Sequence, residues 1–195
     1  MFNIIVLGPP GCGKGTQSNN ITKKYGLTHI STGEILREEI ELHTHIGRIV
    51  KTYIDKGSLV PDDIMMQKVF VSAVNLENSN GLLFDGFPRT ILQAEYLDDI
   101  LRIYDKKISL VFHLNVEENE LYNRILHRSI DSKRSDDQLE IAKNRLKVYY
   151  KNTFPLIDYY LKQKKLKTIS GMAEISEVFG KISSVIDDKI NKTEK

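Results

Sequence analysis

The chain has 195 residues, a formal net charge of +2 and a single cysteine, with 41% hydrophobic and 28% charged residues. These values fit a soluble globular domain with a sizeable core, and one cysteine excludes an intrachain disulfide or a cysteine-cluster zinc site. The nearly balanced charge gives no support to a nucleic-acid or membrane-surface role, and sparse cysteine fits a reducing, cytoplasmic setting.

A glycine-rich segment follows the first predicted strand. The apolar run 2–7 leads into Gly8-Pro9-Pro10-Gly11-Cys12-Gly13-Lys14-Gly15-Thr16, and a helical pattern begins at Lys14. Strand, glycine-rich turn and helix are the context of a phosphate-binding loop, where backbone N–H groups and the helix N-terminus attract an anion. Gly15 stands where a Mg²⁺-binding Ser or Thr is usual, and Thr16 comes one place later. We therefore expect phosphates and water to hold most of the metal.

A polar helical segment follows the second predicted strand, residues 27–30. Ser31 and Glu34 form a capping-box pattern, and Arg37 lies one turn further along that helix. Residues 38–56 carry only a thin apolar stripe, with Gly47 as the expected break, and residues 57–62 close the segment. A weakly apolar helical insert between core elements predicts a mobile substrate flap.

The third predicted strand ends in a chemically distinctive turn. A helix over 64–76 precedes the continuously apolar strand 81–85, and Asp85-Gly86-Phe87-Pro88-Arg89-Thr90 follows, with Gln93 on the next helix. Ligands of open α/β sheets bind outside the carboxyl ends of the strands, where this turn and the glycine-rich segment both fall. An acidic residue at this place is suited to orienting Mg²⁺-bound water.

The remaining elements continue the alternation of strands and helices. We expect a strand at 108–114, a helix over 117–127 with Arg124 and then Arg128 on one face, and a polar connector at 129–133. A capping box from Ser135 to Gln138 places Arg134 just outside a helix that carries Arg145. A helix over 149–161 broken near residue 155, a strand at 166–170 and a final helix over 174–190 complete the pattern. This alternation predicts an α/β fold with a doubly wound parallel sheet.

Six arginines flank the predicted loops or occupy the helices beside them, close to Lys14 at the carboxyl edge of the sheet: Arg37, Arg89, Arg124, Arg128, Arg134 and Arg145. Guanidinium groups are always charged and bind phosphate oxygens in a fork, which suits a phosphoryl group in transfer. The sequence offers no nucleophile–base pair. Direct transfer between two bound substrates is the chemistry that this pattern favours.

With these residues in place, the chain resembles the adenylate kinases among the nucleoside-monophosphate kinases. The resemblance covers nearly the whole chain, through the glycine-rich segment, Ser-Thr-Gly-Glu-Ile-Leu-Arg, Asp-Gly-Phe-Pro-Arg-Thr-Ile-Leu-Gln, Arg-Ser-Asp-Asp and Asn-Arg-Leu. It implies a P-loop NTPase-type five-stranded parallel sheet in one kinase domain over 1–195. The core would be 1–31, 61–128 and 135–195, with a monophosphate-binding insert at 32–60 and a short lid at 129–134.

The resemblance also implies roles for individual residues. The expected ATP-binding residues are Gly11, Cys12, Gly13, Lys14, Gly15, Thr16, Arg124, Arg128 and Ala173. The expected AMP-binding residues are Thr32, Arg37, Ser58, Leu59, Val60, Gly86, Phe87, Pro88, Arg89, Gln93, Arg134 and Arg145. The expected catalytic residues are Lys14, Arg89, Arg128, Arg134 and Arg145. Mg²⁺ would accompany ATP, with Asp85 orienting its water, and a short lid implies no zinc. A monomer is expected. One departure from the family is Glu34, where Asp is common.

Two alternatives stay open on the sequence. A UMP or CMP kinase shares the fold and the short lid, but that group tends to carry Ala at the position of Thr32 and Asn at that of Gln93, so the adenylate assignment is favoured. A non-catalytic nucleotide sensor would be expected to lack the bridging arginines, whereas Arg134 and Arg145 are both present.

Overall fold

A five-stranded parallel sheet forms the centre of the computed structural model, which describes residues 2–74, 79–131 and 135–193. The strands are β1 (Asn3–Leu7), β2 (Thr28–Ser31), β3 (Leu82–Asp85), β4 (Ile108–Asn115) and β5 (Leu166–Ser170). Their order is β2-β3-β1-β4-β5, and all four neighbouring pairs are parallel. The predicted α/β sheet is confirmed. The chain places β2 and β3 on one side of β1, and then β4 and β5 on its other side. A crevice therefore opens at the carboxyl end of β1.

Nine α-helices surround this sheet in the described residues. They are α1 (Lys14–Tyr25), α2 (Thr32–Glu41), α3 (His45–Ile54), α4 (Asp62–Val74), α5 (Ile91–Ile103), α6 (Glu118–Asp131), α7 (Leu139–Val148), α8 (Leu156–Lys162) and α9 (Ile175–Thr193). In the described part of the chain, no helix is long and apolar enough to cross a membrane.

Side chains of each central strand alternate between two hydrophobic clusters, one on each face of the sheet. Ile5 of β1 packs in the cluster that α4, α5 and α8 complete, while Ile4 packs in the cluster of α1, α6 and α9. In β3 the residues from Leu82 to Asp85 are all buried. Burial on both faces fixes the strand ends firmly, so the loops that follow β1 and β3 start from a rigid edge.

The insert between β2 and α4 contains α2 and α3, and its break lies elsewhere than expected. Ser31 caps α2 by accepting a hydrogen bond from the Glu34 N–H at 3.4 Å, as the sequence predicts. The helical segment is interrupted at residues 42–44, whereas Gly47 lies inside α3. The prediction of a break at Gly47 was wrong. This glycine is needed instead for the close packing of α2 and α3, because a Cβ there would lie 1.9 Å from the Glu39 carbonyl oxygen of α2.

Two other local predictions were wrong at the connection between α6 and α7. Helix α6 continues through Asp131, so the first three residues of the expected connector are helical, and residues 132–134 lie outside the described chain. Residues 135–137 form a short 3-10 turn, and α7 begins at Leu139 after Gln138, with no side-chain cap. Further on, the expected break near residue 155 is confirmed, with a π-helical segment Tyr149–Thr153 before it.

Candidate active site

The glycine-rich loop ends in an uncapped helix N-terminus. Gly13 precedes α1 with φ 92°, a left-handed conformation that favours glycine. No side chain caps α1 and no acidic residue lies in its first turn. The positive end of the helix therefore faces the cleft with no cap and no acidic residue in its own first turn, which suits an anion.

Lys14 lies folded over the same loop. Its Nζ donates to the carbonyl oxygens of Gly8 at 2.7 Å and Pro9 at 2.9 Å, and lies 3.7 Å from the Cys12 Sγ. The Cys12 side chain is only 2% exposed, so it packs into the core while its backbone forms part of the loop. The ammonium group is thus held at the loop by two neutral acceptors, and its charge is available to a phosphate.

A cleft of about 970 Å³ runs along the carboxyl edge of the sheet. Its size lies near the upper end of the range for small-molecule sites, and suits more than one nucleotide. The predicted site residues that line it are Gly11, Cys12, Gly13, Lys14, Gly15, Thr16, Thr32, Arg37, Ser58, Leu59, Val60, Asp85, Gly86, Pro88, Arg89, Gln93, Arg124, Arg128, Arg145 and Ala173. Phe87 does not: its side chain is fully buried in the core. Arg134 lies outside the described residues.

The turn after β3 brings Thr32 and Arg89 together across Gly86. Gly86 has φ 82°, and a Cβ on it would lie 2.6 Å from the Thr32 Oγ1 and 3.1 Å from the Arg89 Nη2. Only glycine fits this close approach. The Thr32 hydroxyl in turn donates to the Asp85 carbonyl oxygen at 3.4 Å. The loop therefore holds a hydroxyl and a guanidinium group side by side.

Arg89 is a partly buried positive charge that lines the cleft. Its Nε donates to the Gly86 carbonyl oxygen at 2.8 Å, and Thr153 of the π-helical segment donates to its carbonyl oxygen at 2.9 Å. Burial, and then the nearby charge of Arg145, lower the pKa of Arg89 to about 10, against the opposing effect of Asp85. The group stays charged at neutral pH. A bound anion would relieve both the desolvation and the repulsion.

Arg128 and Arg145 converge on two carboxylates of the 3-10 turn. Arg128 donates to both oxygens of Asp137 in a fork, at 2.8 and 2.5 Å. Arg145 Nη1 lies 2.7 Å from the Asp136 Oδ2 and 3.5 Å from the Asp137 Oδ1. The Asp137 side chain is fully buried. These acidic partners were missed, although an Asp-Asp pair next to Arg134 was the available signal.

Two further arginines line the cleft with local support. Arg124 Nε donates to Glu120 Oε1 at 2.7 Å, one turn earlier on α6. Arg37 packs over Gly33, where a Cβ would lie 3.2 Å from its Nη1.

The end of the insert packs against α7 on the opposite side of the cleft. A Cβ on Gly57 would lie 2.8 Å from the Ile141 carbonyl oxygen and 3.0 Å from the Arg145 Cγ on α7. The insert and α7 thus meet across the cleft.

The Asp85 carboxylate lies close to the start of α1. A Cβ added to Gly15 would lie 3.7 Å from its Oδ2, and His29 Nε2 lies 3.6 Å from the same oxygen. The described residues contain no group of three or more His, Cys, Asp or Glu arranged to hold a metal ion. One carboxylate beside the phosphate loop fits Mg²⁺, which is usually bound through one or two carboxylates, phosphates and water.

Comparisons with known proteins show which family the chain resembles over nearly its whole length. The family model described as adenylate kinase matches residues 6–165. The adenylate kinase of Parabacteroides distasonis is 46% identical over 188 residues, covering 96% of this chain and 99% of that protein. That of Bacteroides thetaiotaomicron is 44% identical over 187 residues, with 96% and 99% covered. That of Azobacteroides pseudotrichonymphae is 46% identical over 188 residues, with 96% and 98% covered.

Proposed function

The chain belongs to the adenylate kinase family of phosphotransferases, and from its cleft we propose a reversible, Mg²⁺-dependent transfer of the terminal phosphoryl group of ATP to AMP, which gives two ADP. The observation that carries the proposal is the convergence of Lys14, Arg89, Arg128 and Arg145 on one cleft beside an uncapped helix N-terminus. Catalysis of phosphoryl transfer consists mostly of positioning and electrostatic stabilisation, which such a set supplies.

We assign the ATP half of the cleft to the phosphate loop and its neighbours. The backbone from residue 11 to residue 16 would hold the phosphates, with Lys14 on the outer ones. Arg124 would stack on the base, opposite the backbone at Ala173, and Arg128 would contact the phosphates. Asp85 would hold a water of Mg²⁺, which when bound neutralises charge on the β- and γ-phosphates.

The AMP half would be formed by the insert and the turn after β3. Arg37 and Arg89 would hold the phosphate of AMP, and Gln93 would face its base beside Thr32. The backbone at 58–60 and the loop 86–88 would enclose the sugar and base; because the Phe87 side chain is buried, only its backbone is available for this role.

In the transfer step, an ionised phosphate oxygen of AMP attacks the γ-phosphorus of ATP. The new P–O bond forms as the bond between the γ-phosphorus and the bridging oxygen breaks, and ADP leaves with that oxygen. The attacking oxygen carries no proton under neutral conditions, so no general base is needed. Arg134 and Arg145 would bridge the two nucleotides at the transferred group, where charge spreads over the equatorial oxygens.

We also propose that one chain suffices, with an insert at 32–60, a short lid at 129–134 and the remainder as core. The protein would act as a monomer. The single cysteine favours a reducing compartment, the cytoplasm, and leaves no cysteine cluster for zinc in the lid.

Product analysis tests the assignment. The purified protein with Mg²⁺ and ATP is given AMP, UMP or CMP in turn, and nucleotides are separated by chromatography. We expect ADP from ATP and AMP, with AMP strongly preferred as acceptor. Comparable kcat/KM values for the three acceptors would support a UMP or CMP kinase instead. A folded protein that binds ATP and forms no ADP would support the sensor.

A further inference from the structure

A closed set of hydrogen bonds joins the start of α4 to the start of α5 beside the proposed AMP half of the cleft. The Gln93 Oε1 accepts from the Arg89 N–H at 2.7 Å, and the Gln93 Nε2 donates to the Asp62 Oδ1 at 2.6 Å. The second Asp62 oxygen accepts from the Thr90 hydroxyl at 3.1 Å, and that hydroxyl accepts from the Gln93 N–H at 3.2 Å. Asp62 thus supports both the helix cap and the glutamine side chain.

These contacts fix which way the Gln93 amide points. If the amide turned over, its NH₂ group would face the Arg89 N–H, and its oxygen would face the Asp62 carboxylate. Two hydrogen bonds would become two repulsive contacts. Gln93 is only 2% exposed, so water has little access to compensate. An unpaired buried polar group typically costs about 1–3 kcal/mol, so a single amide orientation prevails.

Both amide atoms keep a second hydrogen-bonding position. A carboxamide oxygen has two lone pairs and its nitrogen two hydrogens, and each internal contact uses one of these. Gln93 lines the cleft. In this orientation its free edge offers one acceptor and one donor in a fixed order. Adenine presents an N6 donor next to an N1 acceptor, and would match that order with N6 opposite the Gln93 Oε1 and N1 opposite the Nε2. Hypoxanthine and guanine present an O6 acceptor next to an N1–H donor, which is the reverse order.

We propose that Asp62 is a specificity-determining positioning residue, whose carboxylate fixes the polarity of the Gln93 amide so that the site accepts a 6-amino purine monophosphate and rejects a 6-oxo purine. The inference rests on the proposed function, with Gln93 facing the base of AMP. A glutamine able to turn over would accommodate both orders. In the natural protein the specificity therefore depends on Asp62, which need not touch the nucleotide.

The test compares AMP with inosine monophosphate, because hypoxanthine differs from adenine only along the edge that a glutamine would read. Asp62→Asn keeps the shape and replaces the carboxylate by a group that can either accept or donate. Asp63→Asn is the matched control, since it makes the same charge change at the same helix start on an exposed side chain. Acceptor kcat/KM and the KM for ATP are measured for all three proteins.

We expect the natural protein to prefer AMP strongly. Asp62→Asn should reduce the ratio of AMP to inosine monophosphate kcat/KM by about tenfold or more, through acceptor KM, with the KM for ATP and the ratio in Asp63→Asn unchanged. An unchanged ratio in folded Asp62→Asn, or an equal change in Asp63→Asn, would overturn the inference. If Asp62→Asn does not fold, the natural protein still decides: equal use of both acceptors refutes a fixed amide polarity. Absence of AMP phosphorylation altogether would instead refute the proposed function.

Discussion

Replacing Gly47 by alanine tests whether α2 and α3 form one closely packed half of the cleft. The added Cβ would lie 1.9 Å from the Glu39 carbonyl oxygen, 2.4 Å from its carbon and 2.9 Å from the Ile40 nitrogen. Contacts of a real Cβ essentially never fall under 3.0 Å, and these neighbours are backbone atoms that cannot rotate away. The two helices must therefore separate by roughly 1 Å, and overpacking of this kind costs up to about 3 kcal/mol.

Alanine offsets part of that cost, since it favours a helix interior by about 1 kcal/mol over glycine. The net loss is about 2 kcal/mol, which corresponds to a fall in Tm of about 4–8 °C for a domain of this length. Because α2 carries Arg37, we expect the KM for AMP to rise as the helices separate, while the KM for ATP changes little.

Gly180→Ala is the matched control for calorimetry and kinetics. Gly180 is exposed within α9, and a Cβ there would meet nothing within 4 Å. The same substitution should therefore stabilise the protein by about 0.5–1 kcal/mol. If Gly47→Ala were as stable as Gly180→Ala and bound AMP normally, the close helix packing deduced for the insert would be wrong.

Two other perturbations address the arginine cluster and the region behind the phosphate loop. Arg145→Ala should lower kcat by about 10²–10³ with little change in the KM for ATP. As a control, Lys147→Ala changes an exposed neighbour on α7 and should leave kcat unchanged. A normal kcat with a lower Tm in Arg145→Ala would show that Arg145 is a structural residue. Burial, and then the charge of Lys14, lower the pKa of His113 below its ordinary value of 6.5, so the folded state binds fewer protons and the unfolding free energy should fall as the pH drops below about 6.5. Denaturant titrations at pH 7 and 5.5 should show a smaller loss of unfolding free energy for His113→Gln than for the natural protein. An equal loss in the two proteins would contradict His113 as the cause.

The strands and the phosphate loop were predictable because local pattern and tertiary structure agree there. The strands β1, β3 and β4 are largely buried runs rich in apolar residues, and burial on both faces of a parallel sheet demands that pattern. Arg89, Arg128 and Arg145 could be placed near the loop for the same reason: each follows or flanks an element whose position the sheet determines.

The sequence failed where distant residues decide local structure. Gly47 reads as a helix break, yet it is required by the backbone of another helix. Ser135 and Gln138 read as a capping box, yet Asp136 and Asp137 between them are drawn to Arg145 and Arg128. The Asp62 contact to Gln93 spans 31 positions, so no local pattern could indicate it.

The carboxylates among the arginines have a consequence for phosphate binding. An arginine offers five N–H donors, and the fork between Arg128 and Asp137 uses two of them. A phosphate can therefore bind the same guanidinium group without displacing Asp137, whose fully buried side chain keeps that group from swinging into solvent. Lys14 differs, because its ammonium group donates to two neutral carbonyl oxygens. A negatively charged phosphate is a stronger acceptor than a neutral carbonyl and can replace them. The cleft thus combines an arginine that is held in one orientation with a lysine that can exchange its hydrogen-bond partners when a ligand binds.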